Sequence, residues 1–504
     1  PMSWKQAILL PLHKAEKDKG DPLSYRPISL TSCLCKVMEK LVNSRLTHYL
    51  ESNHLLNNNQ TGFRKQRSTT DQIIRLQDTI LKYNNNKGYT AAAFLDFEKA
   101  YDMLWRNGLM TKIKKLGING NMFEFINNFI NNRTFQVRVG QEISEIKVLE
   151  NGTPQGSILS PTLFLIMIND IEGGGNGVEL SLFADDSAIY KSGRNLAQIC
   201  KEIQSSLDCI SKWAEKWGMK ISTSKSVGVN FTHRIKFETQ TPLTLSGNVL
   251  KMERKAKFLG MYFDQKLTWR DHIQYIEGRC KARLNLMRSL TGTEWGASKE
   301  SLLTVYRVLI RSLLDYGAEA LDSATKNVLR TLDSIQYKAL RICCGAMTGT
   351  AGVALQNECG EPPLNIRRLG QQLRYSVRVK AVPNHPARNV LEDHWTNHYG
   401  KRTDRTNIFK NVTQFYNTAQ VQVEPLVITN DPPWLAKLFT TNTSLQRYIL
   451  KNSDPPEKCK IIAMDEISKY SDHLAIYTDG SKNDQNKTAA AFYIPQTKGH
   501  KNVR

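Results

Sequence analysis

Asp185 and Asp186 stand side by side in LSLFADDSAIY (180–190), where an alternating apolar run stops and a second strand-like run begins. The pattern reads as two short strands joined at an acidic tip. Two carboxylates a few ångströms apart repel by roughly 1 kcal/mol in water and about 4 kcal/mol in a partly shielded site. A hard divalent cation relieves that repulsion. A solvated turn would use the same residues, because aspartate favours turns. A third carboxylate, Asp96, tips the balance toward chemistry. It closes the apolar stretch of TAAAFLDFEKAYDMLW (90–105), so it reads as the end of a buried strand, with a helix starting near Glu98 and Lys99. Acids carried to one cleft by separate elements are what metal-assisted phosphoryl transfer requires.

Between the acidic strings lies NGTPQGSILSPTLFLIMIND (151–170). Pro154 and Gly156 predict a loop, Ser160 an N-cap, Pro161 the first helical residue and 163–168 a buried helix. The order is therefore strand, helix, loop, helix, hairpin. Further on, Ile273, Ile276, Cys280, Leu284, Met287 and Leu290 recur at helical spacing, and similar stripes follow at 302–314 and 329–342. Three amphipathic helices are predicted there. Arg279, Lys281, Arg283, Arg307 and Arg311 decorate them as candidates for a nucleic-acid backbone. Lys112, Lys114 and Lys115 form either a phosphate-facing patch or a solvated helix face. Proline pairs at 362–363, 432–433 and 455–456 punctuate 349–470, which reads as irregular helices and linkers.

Composition fits a nucleic-acid partner. The 69 Lys plus Arg exceed the 47 Asp plus Glu, a net charge of +22 spread along the 504 residues. That distribution predicts a long electropositive channel and salt-dependent binding. The length exceeds a single core, so several subdomains are expected. Nine cysteines occur without a CxxC pair, which argues against structural zinc. The longest apolar stretch, near 163–168, is far short of a membrane span. With no signal peptide read at Pro1, reduced thiols and an intracellular chain are expected.

Together these strings resemble the reverse transcriptase of a non-LTR retrotransposon, most similar to jockey- and I-element-like proteins. FLDFEKAYD resembles the family's motif A, GTPQGSILSP motif B, FADD motif C, WGMKISTSKS (217–226) motif D and KFLGMYFD (257–264) motif E. SYRPISL (24–30) and QTGFRKQRSTTDQ (60–72) are similar to its finger motifs. FADD alone is a weak signal; seven motifs in the family's order are a specific one.

The resemblance implies an α+β right-hand polymerase. Fingers fall at 1–88, the first palm strand at 89–105, a fingers/palm insertion at 106–150 and the rest of a βαββ palm at 151–265. A helical thumb follows at 266–348, a connection at 349–470 and, at 471–504, a truncated RNase H-like hairpin. Asp479 would be that hairpin's first metal-binding acid, with Gly480 and Ser481 in its turn, and no RNase H activity is expected. By the same resemblance Asp96, Asp185 and Asp186, with the carbonyl of Phe97, hold two Mg²⁺ ions, for which Mn²⁺ can substitute. Lys14 and Arg26 hold the incoming triphosphate, and the setting of Tyr25, Pro27 and Ile28 implies a fixed pose for Arg26. Tyr101 is the steric gate against ribonucleotides, while Gln155 and Gly156 meet the nucleotide and its templating base. Asp102 reads as a helix-start or supporting carboxylate. Lys225 is the general acid, with Lys220 a competitor, and Phe258, Leu259 and Gly260 form the primer grip.

The activity implied is RNA-directed DNA synthesis from a DNA primer, in target-primed reverse transcription. Its partners would be an RNA template, DNA primer and target DNA, and deoxynucleotides, with no membrane involved. The family's work at chromosomal DNA implies cytoplasm and nucleus. The start at Pro1 suggests a central piece of a longer polyprotein, or a degraded copy. The alternatives are a catalytically silent relic that only binds RNA, which the intact acids oppose, and an RNA-dependent RNA polymerase, which Tyr101 opposes.

Overall fold

The computed structural model describes residues 1–392 apart from 15–16, 174, 176, 235–241 and 293–294. Beyond these it describes 408–419, 422–426, 432, 434, 445–449, 453–470, 477–482, 488–494 and 499–503. The chain divides into two units, Pro1–Pro432 and Pro433–Arg504.

In the first unit, β1 (Gln6–His13) and β2 (Tyr25–Leu30) pair antiparallel and place Leu12 opposite Arg26. Helices α1 (Cys33–Ser52) and α2 (Thr69–Asn85) lead to β3 (Tyr89–Asp96). After α3 (Arg106–Lys115) and α4 (Gly120–Ile130), β4 (Arg133–Val139) returns parallel to β1. The short β5 (Glu142–Ile143) and β6 (Lys147–Leu149) both pair with β4 and complete a finger sheet.

The palm is built from α5 (Ser160–Ile168), β7 (Glu179–Phe183), β8 (Asp186–Gly193), α6 (Leu196–Lys216) and β9 (Val227–Phe231) around β3. A two-stranded pair, β10 (Thr244–Leu245) with β11 (Asn248–Val249), precedes the edge strand β12 (Lys251–Glu253). The palm sheet runs β12-β9-β3-β8-β7. Its centre explains the unbroken apolar run in the sequence. Ala91, Ala93 and Leu95 of β3 enter one core with α5 and α6, whereas Ala92 and Phe94 enter another with α2. A strand buried on both faces has no polar side to alternate with. Helix α2, read from sequence as part of the fingers, packs on this sheet through Ile73, Ile74 and Leu76.

The hairpin of β13 (Lys255–Phe258) and β14 (Met261–Asp264) opens the thumb. Its helices are α7 (Arg270–Ser289), α8 (Lys299–Val305) continuing through a π-helical turn (Tyr306–Arg311) into α9 (Ser312–Asp315), and α10 (Lys326–Cys344). The three stripes are thus three helical rods. Several of their cations are structural, however. Arg307 and Arg311 both grip the buried Glu361, at 2.7 and 3.0 Å, and Arg283 donates to the Leu309 carbonyl. Arg279 and Lys281 remain exposed. Lys112 is also no phosphate contact. It is buried, donates to Asp170 and the Met167 carbonyl, and lies 3.8 Å from the Trp217 ring centre.

Of the region read as irregular helices and linkers, the part just after the thumb forms two regular helices, α11 (Gly352–Cys359) and α12 (Leu364–Ala381), while 393–407 and most of 427–444 lie outside the described residues. The buried face of α12 carries Arg368, Gln372, Tyr375 and Ser376, so hydrophobic periodicity could not mark it. In the second unit, β15 (Tyr477–Lys482), β16 (Thr488–Ile494) and β17 (Gly499–Val503) form three antiparallel strands where a strand pair was expected. Asp479 sits in β15 opposite Ala491, and Gly480 and Ser481 are strand residues, not a turn. Among the described residues no helix is long and apolar enough to cross a membrane.

Candidate active site

Three acids meet at one end of the palm sheet. The β3–β8 register sets Asp96 directly opposite Asp186, and Asp185 occupies the turn before β8. Ala184, just before it, takes a left-handed φ of 54° that reverses the chain in two residues. Asp185 and Asp186 are exposed, yet the surrounding protein strips away enough water to raise both pKa values. Burial pushes Asp186 up to about 6, and the charges of Asp185 and Asp96 add to it. Asp96 keeps its own partner, Lys225 Nζ, at 3.2 Å from Oδ1.

Among the described residues no three acidic, histidine or cysteine side chains form a ready-made chelate. The donor set nonetheless fits a hard divalent ion. Its oxygens repel one another, and a lysine ammonium already sits where a cation would neutralise Asp96.

Asp96 and Asp185 open on a cleft of about 1300 Å³, lined also by Lys14, Arg26, Tyr101, Gln155 and Lys225 among others. Lys14 donates to the Leu23 carbonyl at 2.9 Å. Its pKa is lowered by partial desolvation and by Lys17, Arg26, Lys225 and Lys99, a concentration of positive charge facing the acids. Arg26 is exposed rather than pinned by its neighbours, in contrast to the sequence reading. Asp186 and Gly156 do not line the cleft.

The segment after Asp96 is a turn, and the helix expected near Glu98 begins only at Arg106. The physical reason is that its carbonyls are taken elsewhere. The Thr153 amide donates to the Tyr101 carbonyl at 2.9 Å, and the Gly152 amide to that of Leu104 at 3.0 Å. Phe97 is buried, bridges to Ile221 and is among the residues that line the cleft. The half-buried Tyr101 ring packs 5.1 Å from Phe164 of α5. Burial, then the charge of Asp185, raises its phenol pKa.

The loop before α5 is held from several sides. Its helix starts one residue earlier than predicted, at Ser160 after Leu159. Both Asp102 carboxylate oxygens accept from Gln155 Nε2, each at 3.0 Å, and the Ser29 amide donates to the Gln155 carbonyl at 2.7 Å. Gly156 has φ +115°, and a Cβ there would stand 2.8 Å from the Ser29 carbonyl. Only glycine permits that approach. The second candidate lysine is already engaged: Lys220 pairs with Glu98 at 3.0 Å, and Lys225 faces the acids.

Phe258 and Leu259 are not presented to the cleft. Both are buried, Phe258 against Phe94, and the Tyr316 hydroxyl donates to the Leu259 carbonyl at 2.5 Å. Gly260 lies under the Tyr316 ring. The hairpin tip is thus anchored by Tyr316. Sequence reasoning also missed Glu39 and Ser29, which hold the loop. A carboxylate inside the apolar stripe of α1 was the available signal for Glu39.

Residues 14–263 match the family model for reverse transcriptase (RNA-dependent DNA polymerase). The chain is 30% identical over 397 residues to the RNA-directed DNA polymerase from mobile element jockey of Drosophila melanogaster, covering 77% of this chain and 43% of the relative. It is 29% identical over 403 residues to the probable RNA-directed DNA polymerase from transposon BS of the same species, covering 78% and 44%. The chain therefore spans less than half the length of these curated relatives. A solved telomerase from Candida tropicalis, in complex with a fragment of telomeric RNA, aligns with a TM-score of 0.42 at 13% identity, over 81% of this chain and 64% of that one. That likeness is too loose to carry an argument. The three acids and the loop beside them all fall inside the matched span: residues 14–263 form a reverse transcriptase domain, similar to those of the non-LTR retrotransposon polymerases.

Proposed function

We propose that this chain is an RNA-directed DNA polymerase that extends a DNA primer 3′-hydroxyl on an RNA template, in the manner of target-primed synthesis. One observation carries the reading: Asp96 and Asp185 open on the same cleft as a facing group of cations, Lys14, Arg26 and Lys225. Asp96, Asp185 and Asp186, with the Phe97 carbonyl, would hold two Mg²⁺ ions, or Mn²⁺ in their place. Bound there, the ions ease deprotonation of the attacking hydroxyl and neutralise charge on the transferring phosphate.

The remaining roles belong to the chain. Lys14 and Arg26 bind the triphosphate, a point charge beside a fork-shaped donor. The Tyr101 ring lies under the sugar and excludes a 2′-hydroxyl. Gln155, held by Asp102, orients the base, and Lys225 gives its proton to the departing pyrophosphate oxygen. The protein contributes position and charge stabilisation.

Primer extension tests this directly, with an RNA template, a DNA primer, Mg²⁺ and either deoxy- or ribonucleotides. Extension with deoxynucleotides is the expected result. No extension would return the chain to an RNA-binding relic. Tyr101→Ala should relax sugar discrimination by roughly tenfold or more, and unchanged selectivity would remove Tyr101 from the gate.

A further inference from the structure

Glu39 occupies a position that the apolar pattern of α1 assigns to the core. It lies on the stripe Cys35, Glu39, Val42, Leu46 and Leu50 and is fully buried. A carboxylate removed from water is costly unless donors replace its hydration. Ser157 Oγ stands 2.5 Å from Glu39 Oε2, with the Ile158 amide at 2.7 Å and the Leu159 amide at 3.4 Å. The Cys35 thiol donates to Oε1 at 3.3 Å. Three of these four donors come from one turn, the last of the loop before α5.

The hydroxyl has a direction. Because Ser157 gives its hydrogen to Glu39, its lone pairs face the amides of Leu159 and Ser160, at 3.1 and 3.3 Å. Carboxylate and hydroxyl together satisfy the start of α5, where the helix dipole favours negative charge. Gly156 and Gln155 are the next residues upstream, so a displaced Ser157 moves them within two peptide units.

We propose that Glu39, outside every motif that touches the cleft, is a positioning residue for the incoming nucleotide: it fixes the loop that presents Gln155 to the cleft. The proposal rests on the polymerase reading of the cleft. Glu39→Gln keeps the shape but turns an NH₂ group toward donors. In the full chain the KM for deoxynucleotide should rise about tenfold, the loss of a buried charge-assisted bond. The kcat should stay within about twofold and primer–template affinity should not change, as for an interaction made in the bound ground state. The amides of Ile158 and Leu159 should also exchange hydrogen about tenfold faster without substrate, while those inside α1 do not. Ser157→Ala, which leaves the carboxylate its two amides, should raise KM in the same direction by roughly threefold. An unchanged KM in both variants overturns the positioning role, as does a loss confined to kcat. Unchanged exchange at 158 and 159 overturns the clamp itself. A wild-type chain that extends no primer overturns the polymerase reading, and the exchange experiment still decides the clamp.

Discussion

Two groups of acids serve the palm, and their surroundings are opposite. Asp71, on the helix behind the sheet, is fully buried and surrounded by donors. The Ser68 amide donates to it at 2.7 Å in a capping box that starts α2. Arg378 of α12 stands 3.3 Å away, and His385 Nε2 at 3.6 Å. At the other end, Asp185 and Asp186 face each other and Asp96, with Arg26 acting on Asp185 and Lys225 paired to Asp96. Burial raises the pKa of Asp71, Asp185 and Asp186 alike. A shifted pKa therefore does not separate a functional acid from a structural one. The donors around it do: Asp71 uses its charge to join α12 to α2, whereas the hairpin acids keep theirs for a cation.

The largest expected effect breaks this comparison most easily. Asp185→Asn should lower primer extension by roughly a thousandfold or more, because charge is lost where the transition state needs it. In chelator its Tm should be unchanged or slightly raised, since one of three like charges has gone. Asp71→Ala should do the reverse. Leaving Arg378 and the Ser68 amide without their acid should destabilise the chain by about 3 kcal/mol, while kcat per folded molecule stays near wild type. Chemical denaturation and extension on the same samples read both. An Asp185→Asn chain that unfolds, or an Asp71→Ala chain of unchanged stability, would end the distinction.

The parts legible in sequence were those that local physics decides. The acidic tip, the doubly buried β3 and the apolar rods of the thumb each announce themselves within about ten residues, by run or by period. What escaped depends on distant partners. The turn at 97–104 looked helical because its own residues permit a helix; the amides of Gly152 and Thr153 take its carbonyls instead. Glu39 went unread because its partners lie in the loop near Ser157, 118 residues away. Arg307 and Arg311 looked like phosphate contacts until Glu361 returned from the next segment. Phe258 and Leu259 had the right motif, yet motif spelling does not say which side of the hairpin faces the core.

The smallest effect, stability against pH, sharpens the comparison because His385, beside Asp71, and Asp186 have opposite signs. Burial, with Arg67 and Arg378 close by, lowers the pKa of His385 to about 4. The unfolded chain takes up this proton near pH 6.5 while the folded chain refuses it. The stability His385 contributes is thus complete above about pH 6.5 and is lost as pH falls toward 4, on the order of 3 kcal/mol. Asp71 opposes this, since its raised pKa favours the folded state at low pH and the benefit fades as pH rises. His385→Asn should therefore flatten the acid side of the profile and expose the Asp71 contribution. At the hairpin, Asp186 has its pKa raised from 3.8 to about 6. There the folded chain gains stability as pH falls from 7 toward 4, because protonation removes a charge that burial, and then Asp185 and Asp96, disfavour. Asp186→Asn should abolish that gain, and so should Mg²⁺ held by the same acids, because each offsets the buried, crowded charge that protonation removes. Denaturation of wild type, His385→Asn and Asp186→Asn at pH 7 and 4.5, with chelator or Mg²⁺, reads every arm. If the Asp186→Asn profile follows wild type in chelator, the hairpin acids are already satisfied, and their availability for a cation has to be abandoned.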